Sequence, residues 1–445
     1  MKITILGSGR EIGATAFLLE IKDRRILLDA GFHPQKVGAE GLPIMEPLDG
    51  GVDVICITHA HLDHIGSLPL MARKFPEARI FMSYPTRAIA LRLLHNTVNV
   101  MRALSEKHVN IPCQLFTHED VDKLSERIRC FHFGTPIPVG HGLEVTGIHA
   151  GHVLGACGYL IRSNHHRIFY TGDISFSDQE LIRGADLPET VVDILLMENT
   201  YSNEPSTPED CIYEERRFFR DITRVVELGG SVLIPVFALG KTQEMLAKVF
   251  RQREIGTIPN VPMLVSGLGR AISRIYHRYQ HHLRQEVYPK IPLDHIGETI
   301  NGYHWGNINF VLDHPSIILA TSGMVVEDTP SAFFAEKMIR NERHAIFFVG
   351  YVDPNLLGHR ILHAQVGDHV DFGSGRCVRV QCPQIDKYHF TAHAFRQQLI
   401  DLANHLNPGH IILIHGDEDG VRWMQSSLEK SFDISAPALG QTLDL

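Results

Sequence analysis

The segment Val52-Asp53-Val54-Ile55-Cys56-Ile57 runs straight into Thr58-His59-Ala60-His61-Leu62-Asp63-His64, and this junction decides the fold. Its first half is an apolar run of the kind found in a strand covered on both faces. Its second half holds three imidazoles and a carboxylate within six residues. In extended chain His59 and His61 point the same way, because side chains repeat every two residues. From residue 65 to 75 the pattern becomes helical, so the chain must turn, and the turn aims Asp63 and His64 elsewhere. One short stretch can therefore serve two adjacent metal positions. The plainer alternative is a polar strand-to-helix loop with solvated histidines, and the rest of the chain bears on that choice.

Four other strand ends repeat the arrangement of apolar run, ligand and glycine. Ala150-Gly151-His152 follows a strand pattern over 143–148, and Thr171-Gly172-Asp173 follows one over 167–170. Asp29-Ala30-Gly31 follows 25–28, and Ile414-His415-Gly416-Asp417 ends the last strong apolar run. Rigid strands aim ligands, and glycine lets backbone come close. Each alone reads as a satisfied loop; together they point to a metal site. Histidine supplies 28 of the 445 residues, about 6%, and imidazole is the commonest metal ligand.

Composition excludes several classes. At 44% hydrophobic and 21% charged residues the chain is neither disordered, collagenous nor a disulfide scaffold. No run of 18 apolar residues exists, so no membrane-spanning helix is expected. Residues 1–7 read as a first strand rather than a secretory signal. Seven scattered cysteines, Cys56, Cys113, Cys130, Cys157, Cys211, Cys377 and Cys382, form no CxxC pair and predict a reducing, cytoplasmic setting. The net charge of −9 argues against nonspecific coating of nucleic acid or anionic membrane, while leaving room for a local basic groove.

The length suits two or three domains. The first 35 residues alternate short strands with turns, as in a β-meander. Near Tyr201 the texture changes to a long Glu- and Arg-rich helix over 208–228. Strand–helix alternations follow, the signature of a parallel α/β unit. Apolar runs at 378–381 and 410–414 read as late strands that rejoin the first domain. The expected organisation is one domain in two pieces, 1–204 and 366–445, interrupted by an insertion over 205–365.

His59–His64, His152, Asp173 and His415, in this order, resemble the metallo-β-lactamase superfamily. The segments Met197-Glu198-Asn199-Thr200-Tyr201, Pro235-Val236-Phe237-Ala238-Leu239-Gly240-Lys241, Thr321-Ser322-Gly323-Met324 and Phe390-Thr391-Ala392-His393 resemble its β-CASP nuclease branch. The resemblance spans essentially the whole chain. It implies an α/β fold: an αββα sandwich of two sheets with helices outside, carrying an inserted α/β β-CASP domain. It further implies two Zn²⁺ per chain, one on His59, His61 and His152, the other on Asp63, His64 and His415, with Asp173 shared. Asp63, Glu198 and His393 form the implied catalytic set, with Glu198 orienting His393 at the scissile phosphate; an internal hydrogen-bonded pair is the structural alternative. Asp29 is expected to hold a ligand histidine by its other N–H. Two such ions ~3.5–4 Å apart supply a hydroxide nucleophile near neutral pH and clamp a phosphoryl group.

The implied activity is a zinc-dependent ribonuclease, endo- or 5′-exo-acting, on single-stranded RNA in processing or decay. A DNA nuclease of the same branch, a small-molecule metallo-hydrolase and a non-catalytic scaffold are the alternatives. His415 favours RNA, the insertion argues against a small-molecule enzyme, and the filled ligand positions argue against a scaffold. No membrane partner is expected, and the sequence leaves a homodimer open. Two substrate contacts are weaker expectations: Ser322, past a parallel strand, and Lys241, which opens a helix and either meets a phosphate or is solvated. The Gly-Lys-Thr at 240–242 is no nucleotide loop, because Pro235 stands where the first glycine is required. His141, His149, His165, His166, His281, His282 and His363 read as loop or surface residues.

Overall fold

The computed structural model describes residues 1–107, 114–287, 291–301, 304, 306–373 and 375–445; Cys113 lies outside them. The chain divides into two compact units. Unit 1 is Met1–Asp178, Arg183–Pro205 and Ala392–Leu445; unit 2 is Gln179–Ile182 and Ser206–Thr391.

The strands of unit 1 begin with β1 (Lys2–Gly7), β2 (Ala16–Ile21), β3 (Arg24–Leu28), β4 (Val54–Cys56), β5 (Arg79–Ser83) and β6 (Ile128–Phe131). They continue with β7 (Ile137–Gly140), β8 (Leu143–His149), β9 (Cys157–Arg162), β10 (Arg167–Tyr170) and β11 (Ile194–Glu198). Unit 2 contributes β12 (Val232–Pro235), β13 (Met263–Val265), β14 (Glu298–Thr299), β15 (Ile317–Ala320), β16 (Ala345–Phe348), β17 (His369–Asp371), β18 (Cys377–Arg379) and β19 (Gln384–Lys387). The chain returns to unit 1 with β20 (His410–Ile414), β21 (Asp433–Ser435) and β22 (Thr442–Asp444).

Unit 1 is a sandwich of two seven-stranded sheets, ordered β22-β1-β2-β3-β4-β5-β6 and β21-β20-β11-β10-β9-β8-β7. The expected meander is present, since β1, β2 and β3 pair antiparallel. The pairings β3–β4, β4–β5, β10–β11 and β11–β20 are parallel. One core joins the sheets: Phe17, Leu28 and Val54 from the first meet Tyr159, Tyr170 and Ile412 from the second, all essentially buried. The ends of β3, β4, β10, β11 and β20 carry Asp29, His59, Asp173, Glu198 and His415 or lead to them. Open α/β sheets place ligand sites at the carboxyl ends of their strands for the same reason: the rigid strand fixes the first loop residue.

Unit 2 holds a six-stranded sheet, β14-β13-β15-β12-β16-β19, parallel throughout. Its central strands are wholly apolar and buried, as two-sided coverage requires. The helices Pro208–Glu227, Lys241–Glu254, Gly267–Arg278 and Pro330–Met338 alternate with the strands as the sequence pattern predicts. The return to unit 1 comes at Ala392, later than the 366 expected. The run at 378–381 does not rejoin the first domain: β18 pairs with β17, and Val378, Val380 and Cys382 pack into the core of unit 2. An apolar strand pattern states burial without naming the sheet.

Candidate metal centre

Every chemistry-bearing residue expected from the sequence, except Ser322 and Lys241, lies in unit 1. After β4 the chain stays extended to His61 (φ −67°, ψ 148°), and Leu62–Ile65 then makes one helical turn. The turn separates Asp63 and His64 from His59 and His61. Donor atoms of His59, His61, His152 and Asp173 all lie within 4.8 Å of one another, and those of Asp63, His64 and His415 form a second such group.

Asp173 faces both groups. Its Oδ2 lies 3.7 Å from Nε2 of His59 and 3.7 Å from Nε2 of His152. Its Oδ1 lies 3.4 Å from Nε2 of His64 and 3.4 Å from Nδ1 of His415. Asp63 Oδ2 is 3.4 Å from Nε2 of His415 and 3.8 Å from Nε2 of His64. In the first group, Nδ1 of His61 is 2.9 Å from Nε2 of His59 and 3.2 Å from Nε2 of His152.

The loop that carries Asp63 and His64 is fixed from outside the cluster. Ala30 N–H donates to the His64 carbonyl at 2.8 Å, and Phe32 N–H to the Leu62 carbonyl at 3.0 Å. Gly31 lies so close that a Cβ there would stand 1.7 Å from the Asp63 carbonyl oxygen. Asp29 holds the ring itself: its Oδ2 accepts from His64 Nδ1 at 2.8 Å, from the Tyr170 hydroxyl at 2.6 Å and from the Thr58 hydroxyl at 2.8 Å, while Oδ1 accepts from Thr58 N–H at 2.7 Å. His152 Nδ1–H donates to the Ala392 carbonyl at 2.8 Å, and the Thr200 hydroxyl meets Nδ1 of His415 at 2.9 Å. Partners of this kind fix the tautomer and orientation of a metal-binding imidazole.

The electrostatics fit a cation. Burial holds His59 and His152 well below the usual imidazole range, so both rings are neutral, the form that binds metal. Burial opposes the charge on Asp173, but His415, His64 and His59 together hold its carboxyl well below the usual range. Burial likewise opposes a charged His64, yet Asp173, Asp29 and Asp63 raise it well above the usual value, so the pocket draws positive charge. His64 Nε2 and Asp173 Oδ1 are buried and complete no hydrogen bond. Each such orphan costs ~1–3 kcal/mol, a cost that a divalent cation held by these residues would remove.

Beside the cluster, His393 Nδ1 lies 3.1 and 3.2 Å from the two oxygens of Glu198. Glu198 is buried, and its Oε1 also accepts Ile174 N–H at 2.7 Å. Burial lowers the pKa of His393; Glu198 foremost, with Asp173 and Asp63, outweighs it and lifts the ring to about 8. His393 is therefore charged near neutrality, 4.0 Å from Asp173 Oδ2 and with its ring 4.5 Å from that of His152.

Ser322 and Lys241 are not among the clustered residues. The Lys241 ammonium donates to the Phe390 carbonyl at 2.8 Å, and burial lowers its pKa to about 8, so it is engaged within unit 2 rather than solvated. The Ser322 hydroxyl accepts Val326 N–H at 3.2 Å, closing the turn after β15. His149, expected at the surface, is buried at the end of β8 and bonds the Arg183 carbonyl at 3.1 Å. Sequence reasoning missed Thr58, Tyr170 and Thr200. Their one signal is adjacency to the flagged strand ends, which names neighbours without naming partners.

Known proteins carry the same succession of domains. Residues 18–200 match the family described as Metallo-beta-lactamase superfamily domain, 242–361 the Beta-Casp domain, and 378–437 the Zn-dependent metallo-hydrolase RNA specificity domain. The chain belongs to the metallo-β-lactamase superfamily, in its β-CASP branch. Within that branch it is 29% identical over 442 residues to Endoribonuclease YSH1 of Candida glabrata, covering 96% of this chain and 56% of that protein. It is 29% identical over 445 residues to Cleavage and polyadenylation specificity factor subunit 3 of Dictyostelium discoideum, covering 97% and 55%. Cleavage and polyadenylation specificity factor 73 of Drosophila melanogaster is 27% identical over 449 residues, covering 98% and 63%. The chain thus spans little more than half the length of these relatives. The crystal structure of a protein of unknown function from Enterococcus faecalis V583 shares the fold, with TM-score 0.59 and 15% identity over 100% of this chain and 99% of that one. Among the described residues no helix is long and apolar enough to cross a membrane.

Proposed function

We propose that the protein is a ribonuclease that hydrolyses phosphodiester bonds of single-stranded RNA at two Zn²⁺, in RNA processing or decay. The observation that carries this reading is Asp173, whose two oxygens face separate donor groups on either side. Imidazole nitrogen and carboxylate oxygen, with no thiolate among the clustered groups, suit Zn²⁺. His59, His61 and His152 would hold one ion, Asp63, His64 and His415 the other, and Asp173 both. Bound there, the pair would activate water and neutralise charge on the phosphoryl oxygens.

The chain's own residues supply the rest. Asp63 stays ionised, because His64 and His415 outweigh the burial that opposes its charge. Glu198 helps keep His393 charged and orients the ring through Nδ1, so that the imidazolium can contact the scissile phosphate or protonate the leaving oxygen. Asp29 and Thr200 orient His64 and His415. The name of one of these relatives, Endoribonuclease YSH1, supports RNA over DNA as substrate. The six described cysteines are free thiols, which supports a reducing, cytoplasmic setting.

The test incubates purified protein with 5′-labelled and 3′-labelled RNA and with matched DNA, with and without chelator. Chelator-sensitive cutting of RNA is expected. Activity that survives the chelator, or DNA cut as fast as RNA, would overturn the proposal.

A further inference from the structure

The helix Pro208–Glu227 and the residue after it present one ridge to solvent in unit 2. Ile212, Arg216, Arg220, Arg224 and Leu228 follow one another at four-residue steps, so they form a single row along the helix surface. The row borders a groove of about 820 Å³. The three arginines are exposed. Among the described residues the side chains of Arg216 and Arg224 have no acidic partner, and Arg220 leans on Asp221 at 3.3 Å while staying 68% exposed. Of the two carboxylates that line the same groove, Glu215 is neutralised by Lys248 at 2.5 Å, and the exposed Glu227 stands at the Leu228 end, beyond the last arginine. In a chain of net charge −9, three exposed guanidiniums stand in line.

We propose that this ridge is an auxiliary binding site for the sugar–phosphate backbone of single-stranded RNA, each arginine meeting one of three successive phosphates; it rests on the ribonuclease reading above. Side chains four apart on a helix lie ~5–6 Å from one another at their Cβ atoms, close to the separation of neighbouring phosphates on an extended strand. The planar guanidinium fork matches phosphate oxygens two at a time. Ile212 and Leu228, 57% and 73% exposed, flank the row and offer apolar contact to ribose and base at either end. An acidic protein partner would want a buried anchor at the centre of its interface. Here the centre of the row is charged and the apolar groups stand at its ends.

The measurement is the salt dependence of binding by the metal-loaded protein, followed by anisotropy of a labelled, cleavage-resistant uridine oligomer of about 20 nucleotides. Each single-strand phosphate contact contributes ~0.7 to the slope of log K against log salt, so the variant R216Q/R220Q/R224Q should lose about 2 from it. Affinity at 0.1 M salt should fall roughly 10- to 100-fold. The variant R216K/R220K/R224K should keep the slope. Should the triple Gln variant melt early, the single variants take its place, each expected to lose about 0.7. A wild-type protein that cuts RNA, with Gln variants of unchanged slope, overturns the site and leaves the ribonuclease reading standing. Loss of acidic-peptide binding with an unchanged RNA slope overturns it too. A wild type that neither binds nor cuts RNA removes both.

Discussion

Replacing Asp29 by Asn tests whether the cluster is a metal site whose ligands are set from behind. Asp29 is fully buried and accepts four hydrogen bonds, from Thr58 N–H, the Thr58 hydroxyl, the Tyr170 hydroxyl and His64 Nδ1. Its backbone is left-handed (φ 60°), a conformation that Asn tolerates as well as Asp, so the exchange leaves the chain path alone. The amide keeps one oxygen acceptor and turns a donor toward groups that donate. The two hydroxyls can rotate; His64 cannot. With the amide oxygen kept on Thr58 N–H, which cannot rotate either, the NH2 faces His64, whose ring must move its proton from Nδ1 to Nε2, the nitrogen that faces Asp173 and Asp63. Losing charge-assisted hydrogen bonds at a buried site costs ~2–3 kcal/mol, a sizeable share of ~5–15 kcal/mol of total stability. Blocking the metal-facing nitrogen costs ~10- to 100-fold in metal affinity. Titration against a competing chelator should show one of two ions held that much more weakly, and NMR of labelled histidine should show the tautomer of His64 reversed. Two ions bound as tightly as in the unmodified protein would refute the reasoning.

Other outcomes follow from the same geometry. In Glu198→Gln metal content should hold while turnover falls, and because the carboxylate is foremost in lifting His393 to about 8, the alkaline limb of the pH–rate profile should move to lower pH. An unmoved limb would detach His393 from that limb. Chelation should lower the melting temperature as well as activity, since a metal at 100 times its Kd stabilises the folded state by roughly 2.7 kcal/mol; a calorimetric trace indifferent to chelator would contradict this. In unit 2, His344 accepts Ser231 N–H at 3.1 Å, and burial, aided by Arg343, lowers its pKa to about 4. The folded state then binds fewer protons than the unfolded one between pH 6.5 and about 4, so stability present above that window is lost across it as pH falls. The loss is on the order of 3 kcal/mol, and His344→Asn should flatten that part of a urea-midpoint profile.

The clustering of the candidate ligand histidines was legible because covalent geometry speaks for it. His59 and His61 share a face through the two-residue period of extended chain, and the turn at Leu62 separates Asp63 and His64, whatever the rest of the molecule does. Asp29, His152, Asp173 and His415 were legible as ligand-type residues at strand ends. The parallel α/β character of unit 2 was legible in its alternation of apolar runs and helices.

What the chain alone left undecided are the pairings between residues far apart in sequence. Tyr170 reaches Asp29 across 141 positions and Thr200 reaches His415 across 215, and neither side chain carries a local mark of that partner. Lys241 reads as a helix-opening cation and turns out to be half-buried and bonded to the Phe390 carbonyl, because desolvation depends on what packs over a side chain. Val378 reads as a strand of the first domain and packs instead in the core of unit 2, because its hydrophobicity is satisfied equally well by either interior. Local pattern fixes which way a residue points and what chemistry it can do; only the packed structure fixes what stands opposite it, since that depends on contacts that backbone periodicity does not encode.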